Sequence, residues 1–500
     1  MLRFRPQTFI VGLCFCLLSI GAYGEKKALL IVHTNDIHSQ ILPTDRHETL
    51  PDLGGALRRQ ALIDSLRHTG KAVLLVDAGD AVQGTAFYPT YHGAAEMALM
   101  NHLGYDFITP GNHEFDYGPA SLAAMYAKAQ PTIVNCNYGV SGTPLEGCFS
   151  AGVIKEIGGW KVGITGVGVD LKTLVDPQKN AGVVYRDAIA AASRTADSLK
   201  RHGAEIVVVL SHLGIDDDRK LARSSRAIDI IIGGHSHTLL PAPLPVINQA
   251  GEKVLIGQTG KRGLYVGVIE CQENSRQGYL IDLSARYDGR ADSTTAALIE
   301  SYRRPMEERH GEVVGESPVT LTRKNDLPDL TAEALVQQAR REGWHCDFGI
   351  INPGAMRCDL GAGEITRGDI LACYPFENRL CYIALSGKEV KRLFKIIAAV
   401  GRQGVSREVE CVVTPGKRIK HLTIGGEKIS HRRLYHIATT DYLANGGSDL
   451  TPLARCRQRI DTEMLLCDLM ARYIGEITAK REDIRNKTSQ ELPHKKSHRP

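Results

Sequence analysis

The stretch that decides the reading is YDFITPGNHEFD, residues 105–116. Its first half is an apolar run closed by a proline, the pattern of a short buried strand. Its second half places an amide, an imidazole and two carboxylates within five consecutive positions, Asn112 to Asp116. A solvated loop would explain that cluster if it stood alone, but other apolar runs end the same way. HTNDIH (33–38) delivers Asp36 and His38, and LLVDAGD (74–80) delivers Asp80. VVLSHLG (208–214) carries His212, and IIIGGHSH (230–237) carries His235 and His237.

Taken singly, His212 reads as a hydrogen-bonded structural histidine, and Asp77 and Asp80 as caps of the turn that follows. Taken together, so many polar groups cannot be desolvated side by side without compensation. Divalent cations supply it. Residues i and i+2 of an extended segment face the same way, so Asp36/His38 and His235/His237 are each expected to reach one ion. Carboxylate, amide and imidazole ligands exclude Fe–S clusters and Cys-type zinc sites and leave Mn, Zn, Fe, Co or Mg. Asn112 is a poor ligand for a structural zinc and suits an open, shared site. Asp80, flanked by glycine and small residues, is the candidate bridge.

Two ions about 3.5–4 Å apart clamp the attacking and leaving oxygens of a displacement. Phosphate monoester hydrolysis needs such help, because its acceleration reaches about 10²¹-fold and one acid or base supplies only about 10²–10⁴. Adjacent residues of an extended chain face opposite ways, so Asn112 as a ligand leaves His113 facing substrate. Asp116 is then within reach of the other imidazole nitrogen. The alternative makes His113 another ligand. HEFDY lacks the second histidine of HExxH, which excludes a zincin protease.

Around these motifs the chain is ordinary globular sequence. Of its 500 residues 43% are hydrophobic and 23% charged, which argues against disorder, and the length argues for two domains. The net charge of +5 is small and partly due to the last residues, so nucleic-acid binding is not expected. Residues 1–24 combine two arginines, an apolar stretch and Ala22-Tyr23-Gly24, the pattern of a cleaved signal peptide. Export to a periplasm, a cell surface or the medium follows, with no stable transmembrane segment after cleavage. Ten of the twelve cysteines follow that segment, and Cys346, Cys358, Cys373 and Cys381 are candidates for a structural disulfide of open connectivity.

Strand-like and helical patterns alternate over 25–292, predicting a layered α/β catalytic domain closed by antiparallel strands. A linker helix interrupted at Pro305 is expected over 293–311, a smaller α/β domain over 312–476, and a basic disordered tail over 477–500. The motifs HTNDIH, DAGD, GNHEFDYG, SHLG and GGHSH, in this order, resemble the secreted dinuclear metallophosphoesterases of the 5′-nucleotidase and periplasmic UDP-sugar hydrolase family. That resemblance implies a four-layer αββα sandwich with a C-terminal substrate-specificity domain. It implies that Asp36, His38 and His237 hold one ion and Asn112, His212 and His235 the other, with Asp80 bridging and His113–Asp116 as catalytic dyad.

IINPGAMR, YPFEN and DYLANGGSD resemble the family's substrate segments, implying that Asn352 and Arg357 contact substrate and that Phe376 and Tyr442 sandwich a base. This chain departs from the pattern at Ser448, where an aspartate is common, and around NDLPDL, which no arginine securely precedes although Arg323 is near. The expected function is a metal-dependent 5′-nucleotidase, removing the 5′-phosphate of nucleoside monophosphates by attack of a metal-bound hydroxide. Alternatives are UDP-sugar or 2′,3′-cyclic-nucleotide hydrolysis, or nucleotide capture without turnover. The expected cofactors are two divalent ions (Mn, Zn, Co or Mg), and the oligomeric state is open.

Overall fold

The β-branched runs named above form the interior of two stacked sheets. The protein is described from a computed structural model covering residues 27–44, 50–290 and 292–490, with the side chains of residue 173 and of 481–490 left aside. The signal pattern therefore lies outside the described residues.

One six-stranded sheet is built on Ala28–Thr34, which pairs parallel with Ala72–Asp77 and antiparallel with Tyr265–Gln272. Ser275–Asp282 closes its edge in an antiparallel pair. The second six-stranded sheet sets Ile206–His212 between Trp160–Gly168 and Ile230–Gly233, all parallel. Alternation along each strand then creates three apolar layers. Leu29, Ile31, Leu74 and Val76 meet Val162, Ile164, Val208 and Ile232 between the sheets. Leu30, Val32 and Leu75 face the helices Ala56–Arg67 and Ala94–Leu103. Val207, Val209 and Ile231 face the helices Ala188–Arg201 and Ile215–Ser224. Both faces of each sheet are covered, as parallel strands require, and the four layers are αββα.

Ser293–His310 is one helix with Pro305 inside it, not an interrupted one. Ser301 and Pro305 are both exposed, so the carbonyl that proline leaves without a donor lies on the solvent side of the helix. The second domain builds a five-stranded sheet around Phe348–Ile351, Leu434–Thr440 and Arg379–Ser386, flanked by helices Asp326–Arg341 and Gly387–Val400. Its last helix runs from Leu466 to Gln490, so residues 477–490 continue a helix and are not a tail. The disulfide expected among Cys346, Cys358, Cys373 and Cys381 is not formed; all four thiols are free. Among the described residues no helix is long and apolar enough to cross a membrane.

Candidate metal centre and substrate cavity

Two of the strands stop just short of the polar residues, whereas Ile206–His212 ends on one. Ala28–Thr34 ends two residues before Asp36, and Ile230–Gly233 two before His235. The side chains converge through left-handed turns and not through strand alternation: φ is 48° at Asp36, 52° at His38, 52° at Asp80, 70° at His235 and 53° at His237. Such a conformation costs an L-residue about 1–2 kcal/mol. Five of them side by side point to a constraint other than packing. Asn112 is likewise not extended, and His113–Phe115 form a 3₁₀ turn. The alternation argument for both pairs, and for Asn112 against His113, is therefore replaced by turn geometry.

Candidate ligand atoms gather in three overlapping groups: Asp36, His38 and His237; His38, Asp80 and His113; Asp80, His212 and His235. Asp80 belongs to two of them. Asn112 joins the third through its Oδ1, 3.0 Å from His235 Nδ1. His38 Nδ1 lies 3.0 Å from the Gln83 carbonyl oxygen and His212 Nδ1 lies 2.8 Å from that of Ala78. Carbonyls only accept, so both Nδ1 atoms carry a proton and both Nε2 atoms are left to face the cluster. His38 Nε2 then faces His237 Nε2 at 2.9 Å. His212 Nε2 is buried without a hydrogen-bond partner, 3.1 Å from Asp80 Oδ2. Imidazole nitrogens and carboxylates turned inward on one another fit divalent cations, which would take the place of protons between them.

The charge balance agrees with a site built around positive charge. Burial opposes charge on His212, yet the Asp80 carboxylate overrides it and pushes the imidazole up to about 10. Burial also opposes charge on Asp80, but His212 and His113 hold it well below the usual carboxylate range. His235 is lowered to about 4 by burial and by His212.

His113 Nδ1 lies 2.9 Å from Asp116 Oδ2, and its Nε2 lies 3.2 Å from Arg357 Nη2 and 4.0 Å from Asp80 Oδ2. A cavity of about 670 Å³ opens in front of it. Asp80, Asn112, His113, Asp116, His235 and His237 line one side; Asn352, Arg357, Phe376 and Tyr442 of the second domain line the other. Asp36, His38 and His212 are buried and do not line this cavity. Asn352 Oδ1 is buried without a partner. The Phe376 ring stacks at 6.1 Å on that of His113, and Tyr442 is braced by the Ser448 N–H, which donates to its hydroxyl at 3.1 Å. Ser448 and Asp449 both reach the cavity.

Glu114 carries a role that its place in GNHEFD left unassigned. Its buried carboxylate accepts the backbone N–H groups of Gly111 (2.7 Å), Ala81 (2.9 Å) and Asp80 (3.1 Å), tying two ligand loops together. Those loops touch so closely that a side chain on Gly111 would collide with Asp80. Asn35 does similar work, donating from Nδ2 to Asp36 Oδ2 at 2.6 Å. Asp77, by contrast, accepts from the Thr34 hydroxyl and the Gly79 N–H and caps its turn. Across the domain boundary Lys179 pairs with Glu377 at 2.7 Å and Asn445 donates to Asp176 at 3.2 Å.

Two family models match the chain in order: a calcineurin-like phosphoesterase over residues 29–239 and a 5′-nucleotidase C-terminal domain over 313–455. The 5′-nucleotidase of Diplobatis ommata is 25% identical over 92% of this chain and 89% of its own length. The human 5′-nucleotidase is 27% identical over 94% and 92%. The solved structure of the 5′-nucleotidase precursor from Thermus thermophilus superposes with a TM-score of 0.82 at 28% identity, covering 90% of this chain and 97% of that one. With a phosphoesterase domain, inward-facing candidate metal ligands and a matching C-terminal domain in one chain, this protein belongs to the 5′-nucleotidase family of hydrolytic metallophosphoesterases.

Proposed function

We propose that the protein is an exported two-metal phosphohydrolase that removes the 5′-phosphate of nucleoside monophosphates. The observation that carries this reading is one cavity with candidate metal ligands and His113 on one wall and Asn352, Arg357, Phe376 and Tyr442 on the other. Asp36, His38 and His237 would hold one divalent ion and Asn112, His212 and His235 the other, with Asp80 shared. Ions bound there supply Lewis-acid neutralisation of the phosphoryl oxygens and a nucleophile at neutral pH.

The remaining work falls to side chains. Phe376 and Tyr442 hold the base by stacking, which tolerates different bases at about 1–3 kcal/mol each. Asn352 Oδ1 offers a desolvated acceptor to the nucleoside. Arg357 brings its planar fork to the phosphoryl oxygens, where charge-assisted pairs are strongest. Asp116 accepts the Nδ1–H of His113 and fixes the ring, so that in its imidazolium form the Nε2 proton passes to the departing ester oxygen as the P–O bond breaks. Export rests on the N-terminal signal pattern.

Purified protein supplied with Mn²⁺ or Zn²⁺ should release phosphate from AMP in preference to UDP-glucose, a 2′,3′-cyclic nucleotide and phenyl phosphate. Preference for either of the other nucleotides would reassign the substrate, and no turnover with any ion would leave a nucleotide-binding protein. N-terminal sequencing of material from outside the cell should begin after Gly24.

A further inference from the structure

Two of the free cysteines stand together behind the second-domain wall of the cavity. Cys358 directly follows Arg357, and Cys373 ends the helix Arg367–Cys373, three residues before Phe376. Arg357 and Phe376 both line the cavity, so the segments that present them meet at this pair. Two hydrogen bonds tie the segments. The Arg357 N–H donates to the Cys373 carbonyl at 2.9 Å, and the Cys373 thiol donates to the Cys358 carbonyl at 3.2 Å. A thiol is a weak donor, so the second tie is soft. The Cys358 thiol also lies within hydrogen-bonding reach of the Cys373 thiol. Backbones this close, with the sulfurs turned toward one another, meet the short separation that a disulfide requires.

The surroundings of the two sulfurs differ. Cys373 is buried, and burial, followed by the neighbouring Cys358 thiol, pushes it well above the usual thiol range. Cys358 is partly exposed and borders a small cleft beside the cavity. A reagent from solution therefore meets Cys358 first, and Cys373 is placed to resolve what forms there.

We propose that Cys358 and Cys373 form a redox-sensitive clamp, in which oxidation to a disulfide fastens the Arg357 segment to the Phe376 segment and holds the guanidinium in the cavity. The oxidant is a small-molecule disulfide. The Cys358 thiolate attacks one of its sulfurs and expels one thiol, leaving a mixed disulfide on Cys358. The Cys373 sulfur then attacks the Cys358 sulfur and expels the second thiol. Two electrons pass from the cysteine pair to the small disulfide, and the two cysteine protons end on the two released thiols. The new covalent bond takes over from the soft thiol–carbonyl tie. Arg357 is then ordered before a phosphoryl group arrives, which lowers the ordering cost of binding. That effect on binding rests on the phosphoryl contact of Arg357 under the proposed function; formation of the cross-link does not.

The test compares the full-length parent with Cys373→Ser, each fully reduced and then equilibrated with oxidised glutathione. After free thiols are blocked, peptide mass mapping of the oxidised parent should find Cys358 joined to Cys373. Its melting temperature should exceed that of the reduced parent by about 5 °C or more. With metal-loaded protein and phenyl phosphate as substrate, oxidation should lower KM about threefold and leave kcat within about twofold. Cys373→Ser should show neither difference, and Cys358→Ala, at the less buried position, gives the same comparison if Cys373→Ser does not fold. Cys358 that stays free, stops at the glutathione adduct or pairs with another cysteine overturns the proposal. A cross-link that forms and leaves KM unchanged overturns the clamp. Mass mapping needs no turnover and phenyl phosphate is not a nucleotide, so failure to hydrolyse AMP would sink the nucleotidase reading and leave this test intact.

Discussion

Arg357 Nη2, carried by the C-terminal domain, lies 3.2 Å from His113 Nε2 of the phosphoesterase domain. An arginine only donates, so His113 Nε2 accepts here while its Nδ1–H is held by Asp116. Under the proposed function, a phosphoryl group entering between them would displace the guanidinium from that nitrogen. The His113 imidazole is thereby coupled to the position of the second domain.

If His113 transfers a proton and binds no metal, His113→Ala should lower kcat by about 10²–10⁴-fold and keep the parent's metal content. Elemental analysis alongside initial rates checks this. Loss of one metal equivalent would return His113 to the ligand set.

Removing the guanidinium should act on the same step from the other domain. Arg357→Ala forfeits a charge-assisted pair worth about 1.5–3 kcal/mol, so kcat/KM should fall about 10- to 10²-fold for AMP and phenyl phosphate alike. A loss confined to AMP would place Arg357 at the nucleoside instead.

Stacking predicts the opposite selectivity. Phe376→Ala should raise KM for AMP by the equivalent of about 1–3 kcal/mol and leave phenyl phosphate nearly untouched. Equal effects on both substrates would remove the base from that ring.

Glu114→Gln tests the tie between the ligand loops. The amide keeps one accepting oxygen for three buried N–H groups, and each unsatisfied group costs about 1–3 kcal/mol. The kept oxygen can serve Asp80 and Gly111, so one N–H is orphaned and denaturant titration should show a loss of about 1–3 kcal/mol, with weaker metal retention. Parental stability would show that the loops are held by other means.

Glu96, which is not one of the candidate ligands, predicts a pH signature of its own. Burial pushes its carboxyl from 4.5 up to about 7, against the Ser39 hydroxyl that donates to it at 2.5 Å. The folded state thus binds this proton more tightly than the unfolded chain, so its contribution is full below pH 4.5 and is lost as pH rises through 7. Glu96→Gln should flatten that decline and stabilise the protein at pH 8 by on the order of 3 kcal/mol relative to the parent. Melting curves from about pH 4.5 to 8 that run parallel for the two proteins would contradict it.

The strand ends named from sequence are the ones the fold gathers, because apolar β-branched runs that stop at polar clusters are a local signal. The backbone route was not legible. Asp36/His38 and His235/His237 converge through left-handed turns, which i, i+2 spacing on an assumed strand does not encode. Glu114 stood in the opening motif without a role because its partners, Asp80 and Ala81, lie more than thirty residues away. The Lys179–Glu377 pair spans 198 residues and exists only once two domains are docked. Pro305 and residues 477–490 differ from the expectation for related reasons: an exposed helix tolerates a proline, and the sequence of 477–490 lacks the apolar stripe that marks a packed helix.

The most direct measurement is the metal content of fully active protein, taken by elemental analysis beside that of Asp80→Ala. Two divalent ions per chain in the parent, and their loss together with activity in Asp80→Ala, are the predicted results. Full activity with one ion or none would contradict the account.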